Sequence, residues 1–261
     1  MNYETLQIIL EDKVAFITLN RPERLNSFDM QLGHELYEAL SNVAQNHEVQ
    51  VVVIRGTGKG FCGGGDVKEM HAAKDKSRFL RGLTRAIHRC VIEIRTMEKP
   101  VIAAVNGAAF GAGLSLALAC DMIIAVKGAK MSTAFIGIGL APGCGTQFVT
   151  KLLGYQRACE YILTSKTFTA EEACRLGLVN KVVDTTDQLD AAVEETVSTF
   201  KALPPIAVGK AKMLINKSME NDMISHLELE SKTAAWSAGT EDFTEGVTAF
   251  VEKRKPVFKG K

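Results

Sequence analysis

The chain has 261 residues, 46% of them hydrophobic and 23% charged, a balance that excludes a disordered or fibrous protein. Thirty-one Lys and Arg against thirty Asp and Glu leave a formal charge of +1, so no large unbalanced field draws the whole molecule to nucleic acid or anionic lipid. The longest uncharged run, residues 100–120, carries Asn106 and glycines and reads as strand, turn and helix rather than a membrane span.

Residues 6–10 and 14–19 are β-rich runs separated by Glu11-Asp12-Lys13, a hairpin signal. Asn20-Arg21-Pro22 ends the second strand, because proline lacks the ladder donor and restricts its neighbour. Asp29 is placed to cap a helix to about residue 44, with Leu32, Leu36, Leu40 and Val43 at helical spacing. Residues 49–54 form a short run that is apolar but for Gln50, the pattern of a strand buried on both faces. A loop with Gly56, Gly58, Gly60, Gly63, Gly64 and Gly65 follows. The pattern then predicts a long helix over 75–96, a strand over 101–105, and a glycine turn into a helix ending near 119. A strand over 122–126, a short one at 130–133 and a loop over 137–145 come next. Helices dominate the rest, over about 145–153, 155–164, 169–175, 187–201, 205–218, 222–237 and 240–251, with one strand at 179–183. Strand–helix alternation early and helices late predict an α/β core over 1–200 and a helical C-terminal region over 201–261, divided near the Pro204-Pro205 pair. No internal repeat stands out.

Residues 1–10 include Glu4 and lack a basic segment before an apolar one, so no leader is evident. Cysteines 62, 90, 120, 144, 159 and 174 show no CxxC spacing and no zinc ligand set. Reduced thiols and a cytoplasmic location are the expectation.

Two glycine loops are the candidates for chemistry. In Phe61-Cys62-Gly63-Gly64-Gly65-Asp66, three consecutive glycines expose backbone N–H groups and admit a close ligand, although an ordinary turn looks the same. No Lys-Ser/Thr pair follows, which rules out a phosphate loop. In Asn106-Gly107-Ala108-Ala109-Phe110-Gly111-Ala112-Gly113, small residues at a strand-to-helix junction leave the first helical N–H groups unpaired, although close helix–sheet packing needs the same residues. Each loop follows a predicted buried strand. One donor from each can therefore converge on a single oxygen, as holding an acyl oxyanion requires.

Ordered matches run through the chain: Val14-Ala15-Phe16-Ile17-Thr18-Leu19-Asn20-Arg21-Pro22 with Leu25-Asn26-Ser27, the 61–66 loop, Lys99-Pro100-Val101-Ile102-Ala103-Ala104-Val105-Asn106-Gly107, Gly111-Ala112-Gly113 and Ala119-Cys120-Asp121. They close with Glu245-Gly246-Val247-Thr248-Ala249-Phe250 and Lys253-Arg254-Lys255-Pro256-Val257-Phe258. In this order they resemble the crotonase (enoyl-CoA hydratase/isomerase) superfamily almost end to end. The resemblance implies a crotonase-like α/β fold of repeated β-β-α units with a helical C-terminal trimerisation region. It further implies a homotrimer or dimer of trimers, and an acyl-CoA that is substrate rather than cofactor, with no metal or redox group and no nucleic-acid or membrane partner. Oxyanion-hole donors are implied at the N–H groups of Gly65 and Ala112, and CoA contacts around Arg21, Arg24, Leu25, Gly63, Gly64, Asp66 and Val67.

The family pattern breaks where its acids stand. The two glutamates typical of hydratases are replaced by Ser115 and Phe135, and the acid of isomerases by Gly143. No Asp or Glu lies between Asp121 and Glu160, so a one-residue shift restores none of them. Adding water across a double bond, or moving the bond, requires proton-transfer groups each worth about 10² to 10⁴ in rate. Ser115 is suited to positioning rather than to proton abstraction. His71 has the best unperturbed pKa for a replacement and Glu69 stands beside it, yet both read equally as solvated helix residues. Cys144 lies in the loop of the missing isomerase acid but no neighbouring charge activates it, which favours a packing role. His88, near Arg85 and Arg89, is expected to face solvent or the acyl tunnel; Tyr155 and Tyr161 read as core or interface. Lys253, Arg254, Lys255, Lys259 and Lys261 form a basic run, either a solvated tail or a contact to a neighbouring subunit's CoA. The expected function is an acyl-CoA enzyme of the enoyl-CoA hydratase/isomerase type that stabilises a thioester enolate. The alternatives are an acyl-thioester decarboxylase of the same superfamily, where loss of carbon dioxide itself creates the enolate, and a non-catalytic CoA-thioester binding protein.

Overall fold

β1 (Leu6–Glu11) and β2 (Val14–Leu19) pair antiparallel, Leu6 opposite Leu19 and Glu11 opposite Val14. Asp12 and Lys13 both take positive φ, 45° and 68°, the turn whose twist matches that of a two-residue hairpin. This is a computed structural model that describes residues 3–261; Met1 and Asn2, the start of the segment read for a leader, lie outside the described residues.

After α1 (Met30–Gln45), one unit recurs: a strand of the main sheet, a three-residue strand of a second sheet, then helix. It runs β3 (Val51–Gly56), β4 (Gly60–Cys62), α2 (Val67–Ala72) and α3 (Lys76–Thr96). It returns as β5 (Val101–Val105), β6 (Ala108–Phe110) and α4 (Ala112–Ala119), then as β7 (Met122–Val126) and β8 (Lys130–Ser132), followed by α5 (Thr146–Leu153) and α6 (Tyr155–Leu163). β9 (Phe168–Thr169), α7 (Ala170–Arg175), β10 (Lys181–Val183) and α8 (Thr186–Lys201) complete this part. The main sheet has the order β1-β2-β3-β5-β7-β10, parallel from β2 onward, and the small sheet the order β4-β6-β8-β9. This matches the α/β core of repeated β-β-α units that the resemblance implies. The chain does repeat a β-β-α unit, although no repeat shows in its sequence. β4 and β6 were expected as loop and turn, because three-residue strands built of Gly, Ala, Cys and Phe carry no alternation.

β3 shows why its sequence is an unbroken apolar run. Val52 and Ile54 join the main core with α1, α3 and α4, whereas Val51 and Val53 pack against Leu189, Ala192, Val193 and Val197 of α8. α1 begins where expected, the Asp29 carboxylate accepting from the Leu32 N–H at 2.7 Å. α3 starts under the Asp75 cap and turns Leu83, Ala86, Ile87, Cys90 and Ile94 inward. α4 is buried on every side, so it carries no polar face. It lies so close to β4 that a Cβ on Gly113 would sit 2.1 Å from the Cys62 carbonyl oxygen. Only glycine permits that approach.

The C-terminal helices are α9 (Pro205–Ser218), α10 (Met223–Ser237) and α11 (Glu241–Glu252). Lys212 fastens α9 to the core: its buried ammonium pairs with Asp121 at 2.7 Å and donates to the carbonyls of Ile94 (2.6 Å) and Lys99 (2.8 Å). The basic C-terminal run is not a free tail. Arg254 makes two bonds to Glu245, at 2.6 and 2.8 Å, and Asp242 accepts from the Lys259 and Gly260 amides. Met223, Ile224, Phe250 and Val251 are exposed on α10 and α11. Among the described residues the six cysteines are free, and no helix is long and apolar enough to cross a membrane.

Candidate active site

β4 and β6 are parallel neighbours, so the loops that leave them emerge side by side. A Cβ on Gly64 would lie 2.8 Å from the Phe110 oxygen and 3.6 Å from the Ala112 nitrogen, and Gly64 has φ +98°. Both facts demand glycine. The 63–66 segment runs along 25–28 like a short strand: Gly63 N–H donates to Leu25 O (2.8 Å), Phe28 N–H to Gly64 O (2.6 Å) and Asp66 N–H to Phe28 O (2.8 Å). In an extended segment successive N–H groups point to opposite sides, so the intervening Gly65 N–H faces away from residues 25–28. Neither Gly65 nor Ala112 donates its N–H to any described group. Ala112 is only 3% exposed. A buried amide without a partner is rare in a folded protein, and Ala112 adds the positive end of α4 to its own donor.

Arg21 locks these loops from behind. Its guanidinium pairs with Asp29 at 2.8 Å and Asp66 at 3.4 Å, and it donates to the Ser27 carbonyl. Asp66 also caps α2 through the Lys68 and Glu69 amides. The side chains of Arg21 and Asp66, both expected at the CoA site, are thus spent on one another. Arg24 is half-buried, whereas Leu25, held at φ +50°, and Val67 are exposed beside the glycines and present apolar surface to solvent. Asn26 is fully buried and ties the same segment to Thr57 O and Gly60 O, both at 2.9 Å.

The far end of the site is the 143–145 loop. A Cβ on Gly145 would meet Ser115 Oγ at 2.3 Å, and that hydroxyl donates to Gly111 O at 3.0 Å. Burial pushes the Cys144 thiol up, a hydrogen bond with Ser115 opposing this only in part, so Cys144 is no ready nucleophile. The Phe135 ring comes within 3.8 Å of where a Gly111 Cβ would stand. Over the loop lie two α3 side chains one turn apart: Thr84, whose methyl is 3.0 Å from the Cβ position of Gly143, and His88, whose Nε2 is 2.6 Å from Gly143 O. At the other end Met70 and Leu83 approach Gly65, with Met70 Cε at 2.3 Å from its Cβ position. Glu69 sits on the α2 side of the arginine cluster; burial raises its pKa, Asp29 and Asp66 add to the rise, and Arg21 and Arg24 oppose it. His71 is exposed on α2 and makes no contact with the 143–145 loop in the hydrogen-bonded network. Thr84, Leu83 and Met70 escaped the sequence reading, although the i, i+4 spacing of Thr84 and His88 does place both on one face of a predicted helix.

The arrangement sets two unpaired amides between an apolar Gly65 end and a Ser115 end that is polar but free of carboxylates. The family described as enoyl-CoA hydratase/isomerase matches residues 10–261. The short-chain-enoyl-CoA hydratase of Clostridium acetobutylicum is 36% identical over 94% of each chain, and the 1,2-epoxyphenylacetyl-CoA isomerase of Escherichia coli is 35% identical over 97% of each. The crystal structure of an enoyl-CoA hydratase from Bacillus anthracis superposes with a TM-score of 0.94 at 33% identity, covering 99% of this chain and 100% of that one.

Proposed function

The chain belongs to the enoyl-CoA hydratase/isomerase family, and we propose that it binds an acyl-CoA with the thioester oxygen between the N–H groups of Gly65 and Ala112 and stabilises the enolate that forms there. The observation that carries this reading is the pair of undonated amides on abutting glycine loops, one of them buried at a helix N-terminus. As negative charge moves onto the thioester oxygen, two fixed donors meet it at no cost in reorganisation. CoA lies along the Arg24–Leu25 turn, where Leu25 is exposed, and the backbone of Gly63, Gly64 and Val67, with Arg21 and Asp66 shaping that backbone from within. Ser115 positions a substrate group or water. The exposed apolar side chains of α10 and α11 support assembly as a homotrimer or dimer of trimers.

One observation favours a second reading. Ser115, Phe135 and Gly143 leave the site without the acids that hydration uses, and a decarboxylation creates its enolate by losing carbon dioxide, with no base needed for that step. Incubation with crotonyl-CoA, a 3-enoyl-CoA and malonyl- or glutaconyl-type thioesters decides among these. Turnover of the first two supports hydratase or isomerase action, turnover of the last supports decarboxylation, and saturable binding without turnover of any supports a CoA-thioester binding protein.

A further inference from the structure

We propose that His88 moves the proton on and off the acyl carbon beside the thioester, the task that Ser115, Phe135 and Gly143 leave unfilled. This rests on the reading of Gly65 and Ala112 as the enolate cradle. The contact that carries it joins two segments 55 residues apart: His88 Nε2 lies 2.6 Å from Gly143 O. A carbonyl oxygen only accepts, so Nε2 carries the hydrogen, and in the neutral ring Nδ1 keeps a lone pair. The ring is thereby fixed in the tautomer of a base, against the loop position where the resemblance sets the isomerase acid. That loop reaches directly into the site, since the Gly145 Cβ position is 2.3 Å from Ser115 Oγ, and Ser115 is one helical turn from Ala112.

No other group near the loop fits. The Cys144 thiol is pushed up by burial, and Ser115 Oγ already donates to Gly111 O. Glu69 belongs to the Arg21 side of the site, and His71, exposed as His88 is, has no hydrogen bond to the 143–145 loop. In the step itself the neutral imidazole takes the α-proton while the C–H electron pair moves into the thioester, whose oxygen becomes negative at the two amides. Return of the proton to the same carbon, or to the next conjugated one, closes the cycle with no other reactant. If carbon dioxide leaves instead, His88 takes a proton from solvent, and the imidazolium so formed delivers it to the enolate carbon.

The test is exchange of the α-protons of butyryl-CoA in deuterium oxide, followed by mass, for the wild type, His88→Gln and His88→Ala. Binding of acetoacetyl-CoA, read by its enolate absorbance, is measured alongside. Glutamine keeps a donor for Gly143 O but cannot accept the proton. Both variants are expected to exchange at least ~10²-fold more slowly while binding acetoacetyl-CoA with the wild-type absorbance. Exchange by His88→Gln within about threefold of wild type overturns the proposal, because a proton-transfer group is worth far more than that. Loss of acetoacetyl-CoA binding in His88→Gln also overturns it, making the residue a strut of the loop. A wild type that binds with the enolate absorbance yet exchanges nothing overturns the role of His88 alone, whereas a wild type that does not bind overturns the cradle as well.

Discussion

On the proposed reading two backbone N–H groups carry the chemistry, and they can be altered singly. Ala112 is the first residue of α4, the one helical position that proline tolerates, since its N–H has no intrahelical partner. Ala112→Pro therefore removes one donor and leaves the helix. Turnover of whichever thioester the protein accepts should fall about 10² to 10³-fold, corresponding to roughly 2.7–4 kcal/mol, with the melting temperature little changed. Unaltered turnover in a folded variant would place the oxyanion elsewhere. Ser115 yields the opposite kind of prediction. Gly145 and Cys144 are packed onto it, so Ser115→Glu has no room for the extra atoms and no partner for a charge that would be buried. Crotonyl-CoA hydration should not rise, and thermal unfolding should show a loss of about 1–3 kcal/mol from overpacking. A stable, faster hydratase would mean that the loop yields readily.

At the level of elements, the sequence made some contacts visible and hid others for physical reasons. Caps at Asp29 and Asp75, the helical spacing of Leu32, Leu36 and Leu40, and the two-sided apolar run of β3 are local signals, and each element stands within a few residues of its expected place. β4 and β6 are too short for any period to register, yet they set the loops side by side and so make the site. The abutting glycines were readable as loops, but that Gly64 approaches Ala112 is a tertiary fact. So is the turning inward of Arg21, and so is the contact of His88 with Gly143, which no pattern within α3 encodes. The C-terminal segment shows the same limit, since its charge run suggested a free tail and the folded chain pins it to α11. That pin is pH-dependent in a calculable sense. Arg254 and the Val257 amide hold the Glu245 carboxyl down to about 2, below the ordinary value near 4.3. A depressed carboxyl pKa stabilises the docked segment fully above the ordinary value and loses that contribution as pH falls through about 2. The protection factor of the Val257 amide, taken relative to intrinsic exchange at each pH, should thus fall across that window in the wild type, and be low at every pH in Glu245→Gln. Protection independent of pH would show that Glu245 does not hold the segment.

For the whole molecule, the division of labour follows the layers. The main sheet, clamped between α8 and the helices of the larger core, supplies rigidity; the small sheet places the two loops; α9, bolted by Lys212 to Asp121, carries the helical region against the core. Breaking one partner of such a buried pair costs about 3–5 kcal/mol, so this joint is not a loose linker. α10 and α11 then expose Met223, Ile224, Phe250 and Val251 to solvent, apolar side chains suited to an interface between subunits. Sedimentation should give three or six times the 28.3 kDa of one chain, and Phe250→Asp should lower it. A monomer at micromolar concentration would leave those faces without the partner assigned to them.

The proposed chemistry turns on one oxygen atom and its two donors. A crystal structure with a bound, slowly reacting acyl-CoA tests it most directly. The thioester oxygen should lie about 2.7–3.1 Å from both the Gly65 and the Ala112 nitrogens. An oxygen bound elsewhere, or two amides that diverge around an occupied pocket, would contradict it.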